Sequence, residues 1–157
     1  MDTLCTTGLC PTGSAKVANG LQLLLADYHI FYMNVRGYHW NVKGKPFFQL
    51  HEKFESYYVS IAEKIDEIAE RLVQLDAVPI SSFSACLKMA RLKEENANIA
   101  SEEMVQNLLK GFKHLIAAQR EILKEADAIA DVATANLLEG HITEQEKTVW
   151  MLSAWLS

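Results

Sequence analysis

Between about Ser14 and Asn41, apolar side chains return every three or four positions, at Leu21, Leu24, Leu25, Tyr28, Phe31, Tyr32 and Val35, the spacing of one helical face. Ser14 is a candidate cap, and Gly20 and Gly37 weaken the pattern without ending it. The stop falls at Val42-Lys43-Gly44-Lys45-Pro46, where glycine can turn left-handed and proline can open a new helix, so a tight helical hairpin is predicted. A second helix, from about Phe47 to Leu75, gathers Phe54, Tyr57, Tyr58, Ile61, Ile65, Ile68, Leu72 and Leu75 on one arc, with the small residues Ala62 and Ala69 at its border. The segment Asp76 to Asn98 contains Pro79 and a short helical pattern around Phe83 to Leu92, which reads as a long crossover with its own small helix. A third helix is predicted from about Ser101 to Ala126, with Ser101 as candidate cap and Glu102 and Glu103 in its first turn. A fourth runs from about Asp131 to Leu156, with an irregularity expected at Gly140 and Trp150 and Trp155 near its end. Two helical pairs joined by a long connection predict an all-α, four-helix-bundle architecture of the ferritin-like type.

The polar positions of the second helix are as regular as the apolar ones. His51, Glu55, Asp66 and Glu70 fall within an arc of about 100° on a helix of 3.6 residues per turn. His51 and Asp66 are nevertheless fifteen positions apart, roughly 22 Å along the axis, so one chain cannot bring both to one metal ion. The upper pair, His51 and Glu55, could meet the lower pair, Asp66 and Glu70, only if a second copy of the helix lay antiparallel across a two-fold axis. With His39 from the preceding helix the set is mixed imidazole and carboxylate, which suits Fe, Mn or Zn. No sulfur belongs to it, which favours a hydrolytic or redox centre over a closed structural zinc site. The competing reading is a solvated polar face, with His39 a hydrogen-bonded packing residue. The later half of the chain offers His114 and His141 but no Glu-x-x-His motif, so a metal centre inside one bundle is poorly supported.

Composition narrows the classes. A chain of 157 residues forms one domain, and with three prolines and seven glycines it favours helix over sheet. Fifteen basic against twenty acidic side chains give a net charge of −5, which repels nucleic acid and anionic membranes. The best candidate for a local basic patch, Lys88, Arg91 and Lys93, is followed at once by Glu94 and Glu95. No apolar run is long enough to span a membrane. Residues 1–13 read as a flexible leader ahead of a domain over 14–157; its only charge is Asp2, it has no secretion-signal pattern, and a cytoplasmic location is expected. Cys5 and Cys10 in the leader read as reduced thiols, with a redox or metal-binding tail as the alternative, and Cys86 as a small core or interface residue.

Specific strings then point to a family. Tyr38-His39-Trp40-Asn41-Val42-Lys43-Gly44, Phe47-Phe48-Gln49-Leu50-His51-Glu52-Lys53-Phe54 and Asp66-Glu67-Ile68-Ala69-Glu70-Arg71-Leu72 resemble the signature of Dps, the DNA-protection-during-starvation mini-ferritins. The resemblance extends to Pro79, Ser82-Phe83 and Glu146-Lys147-Thr148-Val149-Trp150-Met151-Leu152, covering about residues 15–156. It implies a hollow homo-dodecamer of ferritin-like four-helix protomers. It also implies a ferroxidase centre, mono-iron or di-iron, in which His39, His51 and Glu55 of one chain face Asp66 and Glu70 of its two-fold mate. Ferrous iron bound there is oxidised, preferentially by hydrogen peroxide in much of the family, and stored as ferric oxide in the shell, which suppresses oxidative damage. By the same resemblance Trp40 is a candidate electron donor to stray oxidants, with a packed indole as the alternative, and Asp127 and Asp131 are candidate linings of an iron-entry pore.

Three departures from the family pattern bear on these expectations. Glu55 stands where Asp is common, adding a methylene at a candidate ligand. Asn136 stands where the pore motif usually has another Asp. The lysine-rich tail of DNA-condensing members is missing, Lys16 being the only basic side chain before Arg36, which counts against direct DNA binding. The alternative functions are a DNA-condensing protective protein and a non-catalytic shell or scaffold.

Overall fold

A computed structural model describes residues 3–157. Six helices follow one another: α1 (Thr3–Thr7), α2 (Pro11–Asn41), α3 (Phe47–Gln74), α4 (Phe83–Met89), α5 (Ser101–Ala128) and α6 (Val132–Leu156). The four long ones form the expected all-α bundle, α2 packing on α3 and on α5 and α5 on α6, while α4 lies in the crossover against α2. Among the described residues no helix is long and apolar enough to cross a membrane.

The predicted apolar arcs become the core. Leu21, Leu24, Leu25 and Tyr28 of α2 are buried with Phe54, Ile68 and Leu72 of α3, Met104, Leu108 and Leu115 of α5, and Leu138 of α6. The α2–α3 hairpin turns where the sequence indicates, with Gly44 at φ +89, a conformation that carries little steric cost without a Cβ. At Gly111 of α5 the Phe31 ring occupies the place a Cβ would take, so α2 and α5 approach closely there.

Several boundaries differ from expectation. The helix expected from Ser14, α2, starts at Pro11 instead, because proline suits a first helical position where no amide donor is needed. Ser14 is therefore not a cap; it is buried inside α2, and its hydroxyl has no hydrogen-bond partner among the described residues. Within the expected leader, whose first two residues lie outside the described residues, Thr3–Thr7 form a helical turn with Leu4 buried. The Leu4 N–H donates to the Asp76 carboxylate at 3.1 Å, which ties α1 to the end of α3. Cys5 and Cys10 are exposed and Cys86 is buried. Helix α5 is preceded by Ala100 and has no side-chain cap, so Ser101 does not play that part, while Glu102 and Glu103 do occupy the first turn. Helix α6 continues through Gly140 without a break.

Candidate metal centre

The hairpin sets the last turn of α2 beside the first turns of α3, and this brings His39 and His51 together. Each ring hydrogen-bonds the other residue's backbone: His39 Nδ1 to the His51 carbonyl at 2.8 Å, and His51 Nδ1 to the His39 carbonyl at 2.9 Å. A carbonyl can only accept, so each Nδ1 carries the proton and donates. In the neutral tautomer this bonding selects, the lone pair of each ring lies on Nε2, the arrangement a metal-ligating imidazole requires. The two rings stack with centroids 3.9 Å apart, and the Phe47 ring stacks on His51 at 5.0 Å. His39 is buried and His51 half-buried, so the pair is held at the surface of the bundle rather than waving in solvent.

Glu55, one turn beyond His51, is exposed and accepts a hydrogen bond from the Tyr58 hydroxyl at 3.3 Å. Tyr58 sets its ring edge-on to His39 at 5.3 Å and to Tyr32 at 6.0 Å. Among Tyr32, Trp40 and Tyr58 lies the Arg36 guanidinium, 5.3, 4.7 and 5.6 Å from the three ring centroids. Trp40 itself is 58% exposed on the single chain.

Asp66 and Glu70 lie on the same helix, both exposed. Because α3 is one unbroken helix, Asp66 stays roughly 22 Å from His51 along the axis and Glu70 roughly 28 Å. Among the described residues no three His, Cys, Asp or Glu side chains converge as a metal site within the chain. The structure thus unites His39 and His51, sets Glu55 one helical turn on against Tyr58, and leaves Asp66 and Glu70 apart.

The two pore candidates diverge. Asp127 is exposed near the end of α5. Asp131 is buried: it caps α6 by accepting from the Thr134 N–H at 3.0 Å and the Thr134 hydroxyl at 2.6 Å, and it pairs with Arg71 at 2.7 Å. Burial alone raises its pKa, but the bonds from Thr134 and Arg71 outweigh that and hold the carboxyl below its ordinary value. Asp131 is committed to the fold, so its expected role as a pore lining is withdrawn; its place at the start of a helix was the signal for a cap.

The imidazoles of the later half pair with carboxylates from other helices, a connection that spacing within one helix does not reveal. His141 Nε2 donates to Glu67 at 2.6 Å, and burial lowers the His141 pKa despite that partner. His114 meets the fully buried Asp27 at 2.7 Å. Asp27 also accepts from the backbone N–H groups of Arg91 and Leu92 and from the Arg91 guanidinium, fastening the crossover to α2. Burial raises the Asp27 pKa, and these donors more than reverse it. Arg91 is thus engaged within the fold, which leaves the basic patch of the crossover with one cation fewer. The hydroxyl of buried Tyr28 joins Gln119 and Gln145 in the bundle core.

A four-helix bundle carrying imidazoles and carboxylates on its first hairpin defines a class, and comparison with known proteins agrees. The ferritin-like domain family model matches residues 18–157. A DNA protection during starvation protein from Porphyromonas gingivalis is 42% identical over 95% of this chain and 94% of its own length. Among solved structures, the Dps protein from Vibrio cholerae O1, described as a member of a broad superfamily of ferritin-like diiron-carboxylate proteins, superposes with a TM-score of 0.93. It is 50% identical, with 95% of this chain and 94% of that chain covered. A Dps protein from Bacillus brevis gives a TM-score of 0.90 at 35% identity, covering 93% and 98% of the two chains. The chain belongs to the ferritin-like proteins and, within them, to the Dps family.

Proposed function

We propose that this protein is a mini-ferritin that oxidises ferrous iron at centres shared between two-fold-related protomers and stores the ferric product inside a shell of twelve copies. The observation that carries this reading is the reciprocal bonding of His39 and His51, which commits both Nδ1 atoms and leaves both Nε2 atoms for a metal ion, with Glu55 one helical turn on. Iron is the substrate here. Neutral imidazoles and ionised carboxylates bind the divalent cation and offset the further charge it gains on oxidation. Asp66 and Glu70 of a second copy complete the ligand set, since their own chain cannot deliver them to His51. With hydrogen peroxide as oxidant, two ferrous ions each give up one electron, the O–O bond breaks, and two hydroxide ions result.

Trp40 serves as a reserve donor to a stray oxidant. The Arg36 cation over its ring makes loss of an electron harder, so Trp40 answers only a strong oxidant such as hydroxyl radical. Asp127 is the remaining pore-lining residue. Removal of iron and peroxide together protects the cell, and a cytoplasmic site of action fits this chemistry. The net charge of −5 disfavours a function by DNA condensation, although relatives carry a name that refers to DNA.

The test is anaerobic loading of the assembled protein with ferrous iron, followed by a stoichiometric addition of peroxide monitored by ferric absorbance. Rapid oxidation that His39→Ala and Asp66→Ala each abolish supports the reading. Unchanged rates in both variants overturn it, and a gel shift with DNA at low salt that disappears as salt rises would favour the DNA-condensing alternative.

A further inference from the structure

We propose that Tyr58 is a positioning residue for this centre, holding the Glu55 carboxylate by one oxygen so that the other is presented to the metal ion. The inference rests on the reading of His39, His51 and Glu55 as ligands and goes beyond it by assigning how Glu55 is oriented. Glu55 is exposed and carries three side-chain torsions, so left alone it would sample many directions. Tyr58, three positions on and therefore on the same helical face, is far more restrained. Its ring is edge-on to His39 at 5.3 Å and to Tyr32 at 6.0 Å, and the Arg36 guanidinium lies 5.6 Å from its centroid. Arg36 forms none of the ion pairs found among the described residues, and its buried Nε has no acceptor, so it is the three aromatic rings that hold it. The hydroxyl is thus a restrained donor aimed at a mobile acceptor, Glu55 Oε1, at 3.3 Å.

Engaging Oε1 favours binding of the metal through Oε2 alone. Reach also matters: the methylene by which Glu exceeds Asp at position 55 is what brings the carboxylate to Tyr58, so shortening it to Asp uncouples the two residues.

Cobalt(II) is a suitable probe, because it does not oxidise readily and its visible absorption reports coordination number. Anaerobic titration of the assembled full-length protein should show Tyr58→Phe, which keeps the ring against His39 but loses the hydroxyl, weakening cobalt affinity about tenfold. Its spectrum should shift toward higher coordination as the freed carboxylate becomes bidentate. In a Glu55→Asp background the same Tyr58→Phe change should alter neither quantity. Unchanged affinity and spectrum in Tyr58→Phe overturn the proposal, as does an equal loss in both backgrounds, which would trace the effect to ring packing. If Glu55→Asp alone abolishes binding, the Tyr58→Phe spectrum decides by itself. His51→Ala separates the two levels of inference: binding lost there but intact in Tyr58→Phe removes only the positioning role, whereas binding intact in His51→Ala removes the ligand reading and this proposal with it.

Discussion

The two ends of α3 are built on different plans. At its start, His51 is locked to His39 by a pair of hydrogen bonds, stacked on Phe47 and followed by a carboxylate already in contact with Tyr58. Towards its end, Asp66 and Glu70 are exposed and engage in no ion pair among the described residues. Arg71, the very next residue, is buried and bound to Asp131 and Thr134. One end is organised within the chain; the other has a fixed backbone and free carboxylates. Groups left in water can be recruited by a partner without first breaking internal bonds, and that contrast is what a site completed by a second copy requires.

The largest effect expected concerns the shared centre. A His51→Ala, Glu55→Ala chain and an Asp66→Ala, Glu70→Ala chain should each lose peroxide-driven iron oxidation altogether. Co-assembled in equal amounts, they should recover about a quarter of the wild-type centres, since half of the dimers are mixed and each mixed dimer rebuilds one of two sites. No recovery in verified mixed dimers would break the comparison. Next, Asp131→Ala should cost about 3–5 kcal/mol in urea unfolding, because it strands the buried Arg71 guanidinium and uncaps α6. A cost under about 1 kcal/mol would show that the lower end of α3 is not anchored as described.

A smaller, graded effect comes from pH. Asp131 and Asp27 have depressed pKa values in the fold, so the stability they contribute is present above the ordinary carboxylate range, near 4, and is lost as pH falls through their folded values. His141, also depressed, begins the loss earlier: below about 6.5 the unfolded chain binds its proton more readily than the folded one. Thermal midpoints should therefore decline from about pH 6.5 downward, and a flat profile to pH 4 would contradict these assignments. Smallest is the contrast between the two ends themselves. His39→Ala should cost about 1 kcal/mol, because it breaks the bond from the His39 ring to the His51 carbonyl and leaves the bond from His51 to the main-chain carbonyl of residue 39 in place. Asp66→Asn should change the stability of the protomer fold by no more than about 0.5 kcal/mol while removing iron oxidation by the assembled protein.

Much of this was legible in the residues because the long helices carry a strong period and the hairpin carries Gly44 and Pro46. The crossover helix was legible from the short pattern around Phe83 to Leu92, and the structure adds its cap, Ser82 accepting from the Ala85 N–H. Contacts between helices were not. Nothing in the spacing of His39 and His51 announces that each ring will reach the other's carbonyl, because that depends on the turn between them. Asp27, a carboxylate in an apolar stretch, could have been flagged as a buried charge, but its partners lie sixty-four and eighty-seven positions away. Local turn preferences also competed: Pro11 opens α2 ahead of the serine that looked like its cap.

The exchange of hydrogen bonds between His39 and His51 also fixes the phase of one helix against the other. Each imidazole reads the partner's main chain rather than its side chain, so substitutions nearby leave the link in place, whereas a change in the loop between α2 and α3 that slid one helix along the other would carry each ring away from the carbonyl it meets. The length of that short loop is therefore itself part of the chemistry.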